Sequence, residues 1–384
     1  MEPESPAQAN VLPSWQRPDR WLFALLERVE TKHGALASAM AVAVISEGIS
    51  VLFASTMVDD FRGRFTGLSS NPFARGPVDI PFPEHRLRIL GPVVAWALGL
   101  RGEAGAYLPI AFNVPLLALL YLVVKRRTTP PLAVIFTLLM ATTHLTMTTR
   151  TLIGYHDTMV FLCVAIAMIS RSNLLSGVCF LFGLFGDPRI ALMFPMILVW
   201  MLVWPELERP TASALMRIAT LGAVLVIFVG LSSVMLDLLD YRAQSNQALS
   251  RYLDLEYFRE MKPSVLHLTA FLTFKAGWLL AFAAVWFLLA RRPMLALLLA
   301  ANMVAIFGSG LVVYDFSRAL TFCFPVLVLG VIELHRSAQS IALPVLGTCY
   351  LINLITPFYQ GMTYGLWIQS YPLPVEVALW LVRR

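Results

Sequence analysis

Long apolar runs alternate with short polar interruptions along most of the chain. An apolar helix of about 20 residues crosses a bilayer, so each long run predicts a membrane span. The clearest runs are 35–55, 106–124, 132–149, 212–236, 265–290, 294–313, 319–333 and 341–356. Between 157 and 204, polar interruptions at 171–173 and 186–189 leave three shorter runs, which we interpret as three further spans. The pattern predicts an all-α, polytopic transmembrane helical bundle of about eleven spans.

The composition of the chain is that of a membrane protein. Hydrophobic residues make up 58% of its 384 residues, charged residues 14%, and the mean hydropathy is +0.72. Ordinary globular proteins are about 45–50% apolar and about 25% charged. These values exclude a soluble globular chain, a disordered chain, collagen and a coiled coil. The four cysteines lie within apolar runs and form no Cys-x-x-Cys pair, so we predict neither a zinc site nor a disulfide framework.

Positive charge along the chain predicts its orientation. The compact basic clusters are 125–127, Arg171, Arg209 with Arg217, Arg291 with Arg292, and His335 with Arg336. All of them face the cytoplasm if the N-terminus is inside and 87–100 is a short helix that dips into the outer face. Because membrane proteins concentrate Lys and Arg in this way, the net charge of +6 and the pI near 9.3 do not indicate a nucleic-acid partner.

Three regions follow from this topology. Residues 1–34 form a cytoplasmic segment with a short interfacial helix, and 35–357 form the transmembrane domain. Within that domain, 57–105 is a long first outer loop with amphipathic or re-entrant helices, and 237–263 is a second large outer loop. Residues 358–384 form a C-terminal tail, and an apolar segment near its end leaves open whether the tail returns into the membrane.

Acidic and histidine residues gather at the outward ends of the predicted helices. Asp59 and Asp60 directly follow the first span, where a carboxylate would act as a general base or bind a divalent cation such as Mg²⁺ or Mn²⁺. The simpler interpretation is a solvated helix end. Charges near membrane depth are costly unless they face a wet cavity or a partner, which makes them candidates for function.

Two further outer turns combine Asp with His or Arg. His156 and Asp157 begin a span, and Asp157 is a candidate ligand residue or a simple helix cap. Asp187 precedes Pro188 at another helix start, which predicts an N-cap. Arg189 requires an anionic partner, either a protein carboxylate or a phosphate.

The remaining candidates are cationic or buried. Asp315 and Arg318 either pair with each other on one helix face or present Arg318 to a phosphate. His85, Arg86 and Arg88 form the densest cationic stretch of the outer face, which suits a lipid phosphate or ordinary phospholipid. Glu47, inside the first span, is either neutral, paired or part of a proton relay.

This constellation resembles the GT-C class of membrane glycosyltransferases, which combine many spans with an acidic residue after the first span and a long first outer loop. The matching residues are Asp59 and Asp60, the stretch 86–92, the turn 187–189, and Asp315 and Arg318 followed by Pro325. The resemblance implies a polyprenyl-phosphate-linked sugar as donor and a glycan, lipid or protein as acceptor. It also implies an active site that faces outward from the cytoplasmic membrane of a bacterium.

The resemblance assigns roles to the outer residues. Asp59 or Asp60 would be the general base, and a bound Mg²⁺ or Mn²⁺, if any, would lie there. The lipid phosphate and sugar would be bound by His85, Arg86, Arg88, His156, Asp157, Asp187, Arg189, Asp315 and Arg318. The chain contains neither a Walker sequence nor a Rossmann glycine pattern, in keeping with a lipid-linked rather than a nucleotide-linked donor.

Other functions remain open at this point. A secondary transporter or flippase would use Glu47 and Asp157 as coupling sites, but we find no internal repeat of the kind that transporters often have. A polysaccharide polymerase would use the same outer arginines with a lipid-linked oligosaccharide. A structural membrane subunit would need none of these residues.

Overall fold

Helices account for almost all of the chain that the computed structural model describes, which comprises 18–53, 59–60, 68–74, 88–203, 211–240, 262–312, 316–361, 366–370 and 373–382. The helices are α1 Pro18–Phe53, α2 Leu90–Ala97, α3 Glu103–Ala106, α4 Leu108–Ala111, α5 Asn113–Lys125, α6 Pro130–Ala141, α7 His144–Thr151, α8 Asp157–Ile169, α9 Asn173–Gly186, α10 Phe194–Val203, α11 Thr211–Leu238, α12 Pro263–Phe274, α13 Trp278–Arg291, α14 Pro293–Leu311, α15 Phe316–Thr321, α16 Phe324–Ser337, α17 Gln339–Ile355 and α18 Leu373–Val382. Short 3₁₀ turns precede α10 at Pro188–Met193 and α13 at Lys275–Gly277.

Six helical segments in the described part of the chain are long and apolar enough to cross a membrane. They are Leu26–Leu52, Glu103–Lys125, Pro130–Thr151, Leu215–Leu238, Pro263–Arg291 and Pro293–Leu311. The prediction of a polytopic helical membrane protein is thereby confirmed. The apolar helices Asp157–Ile169, Asn173–Gly186, Pro188–Val203 and Gln339–Ile355 are shorter, so the figure of about eleven spans stays a prediction.

Two runs that the sequence predicts as continuous helices are interrupted. α6 ends at Ala141 because the hydroxyls of Thr142 and Thr143 donate to carbonyls one turn back, and Thr143 then caps α7 by accepting from the amide of Leu145. The run 265–290 breaks at Lys275, whose φ of 53° ends α12. Nζ of Lys275 donates to two carbonyls at the end of α17, so the interruption depends on a distant segment. The pattern of apolar residues alone does not predict such hydrogen bonds.

Two small sheets depart from the predicted all-α class. β1, Asp59–Asp60, pairs in parallel with β2, Leu152–Ile153. β3, Phe358–Gly361, and β4, Leu366–Ser370, form an antiparallel hairpin in the predicted tail. The ring of Phe358 is buried 4.4 Å from the ring of His144, so the start of the tail packs on the bundle.

Glycine allows a close contact between two helices in the described core. α13 packs against α16, where Gly330 faces the backbone carbonyl of Leu280. A Cβ at Gly330 would overlap that carbonyl oxygen. Backbone atoms move less readily than side chains, so no larger residue fits unless the two helices separate.

Alanine at this position should therefore destabilise the bundle. We expect Gly330→Ala to lower the free energy of unfolding by about 1–3 kcal/mol through overpacking. Gly347→Ala is the matched control, because a Cβ at that helical glycine meets no atom within 4 Å. The measurement is thermal unfolding of both variants in the same detergent. Equal unfolding temperatures for the two variants would contradict this packing argument.

Basic residues join helices at one end of the bundle. The contacts there are Lys125 with Glu30, Arg217 with the carbonyl of Ser170, and Arg291 with Glu333. These residues lie near the ends of α5, α8, α13 and α16. The opposite ends of α5 and α8 meet where Thr158 donates to Asn113 at 2.8 Å. Those candidate functional side chains that the structure describes gather at that second end.

Candidate functional site

Asp157 and Arg318 form a buried ion pair between α8 and α15. Nε of Arg318 donates to Oδ2 of Asp157 at 2.7 Å, and Nη2 donates to Oδ1 at 2.5 Å. Only 5% of the Arg318 side chain and 6% of the Asp157 side chain are exposed. The Arg318 guanidinium also lies 3.9 Å from the centre of the Tyr155 ring. An arginine binds a carboxylate or a phosphate in this forked geometry.

This pairing replaces one local interpretation, and it gives Arg318 a distant partner while its predicted pairing with Asp315 stays a prediction. The N-cap of α8 is His156, so Asp157 is not the helix cap and its carboxylate is available to Arg318. Arg318 pairs with a carboxylate 161 positions away in the sequence, not simply with a neighbour on its own helix. Asp315 lies outside the described residues. The contact between Asp157 and Arg318 is tertiary, so the spacing of residues along the chain does not predict it.

Asp187 and Arg189 form a second pair at the turn after α9. Oδ1 of Asp187 accepts from the backbone amide of Arg189 at 3.0 Å and from its Nε at 2.9 Å, and Oδ2 accepts from Nη2 at 2.5 Å. The predicted N-cap at Asp187 and first-turn Pro188 are confirmed. The partner required by Arg189 thus includes a protein carboxylate. Its guanidinium lies 5.5 Å from the centre of the Phe322 ring.

Arg88 approaches the second pair from the segment just before α2. Its Nη2 lies 3.9 Å from Oδ2 of Asp187, and 14% of its side chain is exposed. The side chain points into the protein, so it does not simply extend to surrounding phospholipid. Its Nε is buried without a hydrogen-bond partner among the described residues. Arg86 and His85, its neighbours in the predicted cationic stretch, lie outside the described residues.

Gly186 holds the segments around this turn close together. Nε2 of His156 makes a 2.8 Å hydrogen bond to the carbonyl of Gly186, which links the start of α8 to the end of α9. A Cβ at Gly186 would overlap the side chain of Val160 and would lie 3.2 Å from Leu90 of α2. The absence of a side chain lets α2, α8 and α9 meet beside Asp187.

These contacts define one buried group of charges, which we call the arginine–aspartate cluster. Its members are Arg88, Asp157, Asp187, Arg189 and Arg318. Within the part of the chain that the structure describes, three guanidinium groups face two carboxylates, so the described members carry one excess positive charge. Such an excess favours an additional anion near the arginines.

The electrostatics of the cluster favour charged aspartates and a neutral histidine. Burial alone would raise the pKa of Asp187, but Arg189 and then Arg88 hold that pKa well below its ordinary value. Burial lowers the pKa of His156, and the positive charges of Arg88 and Arg318 act in the same direction. His156 therefore provides a neutral ring at neutral pH.

The backbone of the acid pair runs beside the segment that leads to the cluster. Asp59 pairs with Leu152 and Asp60 with Ile153 in the parallel strands β1 and β2. The amide of Tyr155 donates to the carbonyl of Leu152 at 3.1 Å in the following turn. The strand pair thus places the two acidic positions next to the approach to α8.

A second buried polar group surrounds Glu47, and the sequence pattern predicts none of its other members as candidates. We call it the Glu47–Arg150 network. It consists of Glu47 and Ser50 on α1, Asn113 on α5, Thr149 and Arg150 on α7, and Thr158 on α8. The signal was the segment 142–151, which contains six threonines and an arginine at the end of an apolar run. The predicted span 132–149 stops one residue before Arg150.

Glu47 is paired, one of the three alternatives for this residue. Nη1 of Arg150 donates to its Oε1 at 3.3 Å, and Nδ2 of Asn113 donates to the same oxygen at 2.8 Å. Nη2 of Arg150 also donates to the hydroxyl of Ser50 at 2.9 Å. The network continues to α8 through the hydroxyl of Thr158, which donates to Asn113.

Metal binding stays a prediction for the acid pair. No group of three or more His, Cys, Asp or Glu side chains with suitable geometry occurs among the described residues. The backbone of Asp59 and Asp60 is described, whereas their side chains lie outside that description. The described aspartates 157 and 187 accept from arginines, which suits anion binding more than cation binding.

Fold and site together define a polytopic helical membrane protein with buried opposite charges at one end of its bundle. No family model and no curated protein matches the chain. One solved structure, the archaeal oligosaccharyltransferase AglB from Archaeoglobus fulgidus with an inhibitory peptide and a dolichol-phosphate, is similar at 14% identity and a TM-score of 0.40. The similarity covers 82% of this chain and 51% of that chain, so the chain spans about half the length of AglB. This TM-score does not assign the GT-C class, which stays a prediction from the motifs.

Proposed function

We propose that the chain is an integral membrane glycosyltransferase that moves a sugar from a polyprenyl-phosphate carrier to a glycan, lipid or protein acceptor. The observation that supports this most is the arginine–aspartate cluster beside the backbone of Asp59 and Asp60. Acidic groups and phosphate-binding cations are then close together at one end of the bundle. In the proposed orientation this end faces outward from a bacterial cytoplasmic membrane, because the basic helix ends lie at the other.

The proposed reaction needs both kinds of group. The acceptor hydroxyl attacks the anomeric carbon and forms a new glycosidic bond, and the bond from that carbon to the phosphate oxygen breaks. The hydroxyl proton passes to a carboxylate, which we assign to Asp59 or Asp60. The bonding electron pair leaves with the polyprenyl phosphate, whose growing negative charge is stabilised by Arg88, Arg189 and Arg318.

The carboxylates of the cluster orient the arginines. Asp157 binds two nitrogens of Arg318, and Asp187 binds two nitrogens of Arg189. We assign these guanidinium groups to the phosphate oxygens of the carrier, because arginine binds phosphate in the same forked geometry as it binds a carboxylate. The excess positive charge supports an anionic substrate more than a neutral one.

An apolar cavity that is lined in part by α15, the helix that carries Arg318, supports a lipid substrate. The cavity has a volume of about 390 Å³ and includes Leu320, two residues after Arg318. Most of its wall is aromatic or aliphatic, with Phe271, Trp278, Phe282, Met303 and Phe307 among the lining residues. We assign the hydrocarbon tail of the polyprenyl phosphate to this apolar cavity and its phosphate to the arginines of the cluster.

A secondary transporter or flippase is the second candidate. The observations in its favour are the Glu47–Arg150 network, which lies inside the spans, and the interrupted segments α6–α7 and α12–α13. A polysaccharide polymerase would use the arginine–aspartate cluster itself, with a lipid-linked oligosaccharide in place of a single sugar. The number of sugar units on the lipid-linked donor therefore distinguishes the polymerase from the transferase.

The test is sugar transfer by the purified protein in lipid nanodiscs. We expect transfer from at least one member of a panel of polyprenyl-phosphate sugars, and we expect Arg88→Ala, Arg189→Ala and Arg318→Ala to weaken carrier binding. Each of these variants removes a charge-assisted contact worth about 1.5–3 kcal/mol. Lysine at the same positions should restore carrier binding only in part, because it lacks the forked geometry of the guanidinium group.

The matched control is Arg336→Ala at the basic end of the bundle, where Arg336 contacts Glu333. We expect wild-type transfer from this variant. No transfer from any donor, combined with uptake of a lipid-linked substrate into proteoliposomes, would replace the transferase with the transporter. Transfer only from lipid-linked oligosaccharides would favour the polymerase.

A further inference from the structure

The Glu47–Arg150 network joins the two helices that lead into β1 and β2. Glu47 and Ser50 lie on α1, which ends at Phe53, six residues before Asp59. Arg150 lies on α7, which is followed directly by β2 at Leu152. Arg150 contacts Glu47 and Ser50, and these contacts join α7 to α1. In the sequence, β1 follows α1 and β2 follows α7, so the two helices are joined close to the strand pair.

A second arm of the network reaches the arginine–aspartate cluster. Asn113 donates to Glu47, and its Oδ1 accepts at 2.8 Å from the hydroxyl of Thr158. Thr158 directly follows Asp157, the carboxylate that holds Arg318. The network thus contacts α1 and α7, which precede the strands at the acid pair, and α8, which carries the carboxylate partner of Arg318.

The bonding within the network is incomplete, which argues against a purely stabilising role. Oε2 of Glu47 and Nε of Arg150 are buried without a hydrogen-bond partner among the described residues. Only 6% of the Arg150 side chain and 13% of the Glu47 side chain are exposed. Buried ion pairs often stabilise a protein no more than apolar residues of similar volume, and unsatisfied polar atoms weaken them further.

We infer that Glu47 and Arg150 are positioning residues, which hold the acid pair Asp59–Asp60 at a fixed place relative to Asp157 and Arg318. This inference rests on the proposed function and adds to it the device that aligns the base with the phosphate-binding arginines. The alignment acts through α1 and β1 on one side and through Asn113 and α8 on the other. Misplacement of reacting groups by about 1 Å reduces rates by about a hundredfold, so such a device is functionally significant.

The first test replaces the pair by apolar residues of similar length, as Glu47→Met with Arg150→Met. We expect an unfolding temperature close to wild type, because a matched apolar pair removes both buried charges together. We expect kcat to fall by about tenfold or more, with an unchanged KM for the lipid donor, because the cluster arginines remain in place. A merely structural role would lower stability and leave kcat of the folded fraction unchanged.

A conservative variant separates positioning from proton transfer. Glu47→Gln retains the oxygen that accepts from Asn113 and Arg150, so we expect it to keep kcat within about fivefold of wild type. It also tests the inference if the double variant does not fold. Complete loss of activity in a folded Glu47→Gln protein would overturn the positioning role and indicate a proton relay.

The matched control is the double variant Glu30→Met with Lys125→Met. This pair also joins α1 to a neighbouring helix, but at the basic end of the bundle. We expect wild-type kcat and KM from the control. If it lost as much kcat as the Glu47 and Arg150 double variant, a general loosening of α1 would explain both results, and positioning by the network would be disproved.

Hydrogen exchange tests the inference without any activity measurement. We expect the amides of β1 and β2 to exchange faster in the Glu47→Met, Arg150→Met protein, while the cores of α13 and α16 keep wild-type protection. Unchanged exchange in the strands would overturn the inference. This readout applies even if the wild-type protein transfers no sugar, so failure of the proposed function is distinguishable from failure of the positioning role.

Discussion

Asparagine at Asp59 or Asp60 is expected to lower sugar-transfer turnover by about a hundredfold or more. Asparagine has nearly the same shape but does not accept the proton of the acceptor hydroxyl. The β1–β2 pairing is made by backbone groups, so the substitution should leave the fold intact. Binding of the polyprenyl phosphate should also persist, because the arginines are unchanged. The measurements are kcat and carrier affinity for each single variant.

The control for this result is Asp240→Asn. Asp240 is an exposed aspartate just beyond the end of α11, with a φ of 61° that asparagine tolerates well. We expect wild-type turnover from this variant. Full activity in both Asp59→Asn and Asp60→Asn would remove the general base from the proposal, and with it the assigned mechanism.

Loss of either partner of the Asp157–Arg318 pair should have the largest effect on stability. Asp157→Leu leaves the Arg318 guanidinium buried without its carboxylate, and Arg318→Met leaves Asp157 without its cation. Removing one partner of a buried ion pair destabilises a protein by about 3–5 kcal/mol. We therefore expect each single variant to unfold at a much lower temperature in detergent.

The double variant distinguishes stability from function. Asp157→Leu with Arg318→Met removes both buried charges, so it should regain most of the lost stability. It should not regain carrier binding, because the phosphate still lacks the Arg318 guanidinium. Arg336→Ala serves as the stability control, since 39% of that arginine is exposed and such contacts contribute about 0–1 kcal/mol. Recovery of carrier binding by the double variant would disprove the role of Arg318.

Part of the candidate site could be predicted from local sequence. The N-cap at Asp187 follows from Asp before Pro at a helix start, and its partner Arg189 is only two residues away. The sequence leaves open whether Arg318 pairs with Asp315 or binds a phosphate, and its partner Asp157 lies 161 positions away. The sequence pattern does not single out Arg150, because this residue closes a run whose apolar residues predict a span.

The sequence by itself determined that this is a helical membrane protein. Lipid requires apolar side chains and internal backbone hydrogen bonds, and a continuous apolar run of helical residues meets both requirements. It also determined which residues are chemically unusual for that environment. The tertiary structure decided the helix breaks at Thr142–Thr143 and at Lys275, and it decided that Asp157 meets Arg318. Buried polar groups must find partners wherever the fold brings them, so their pairing depends on helix packing and not on spacing along the chain.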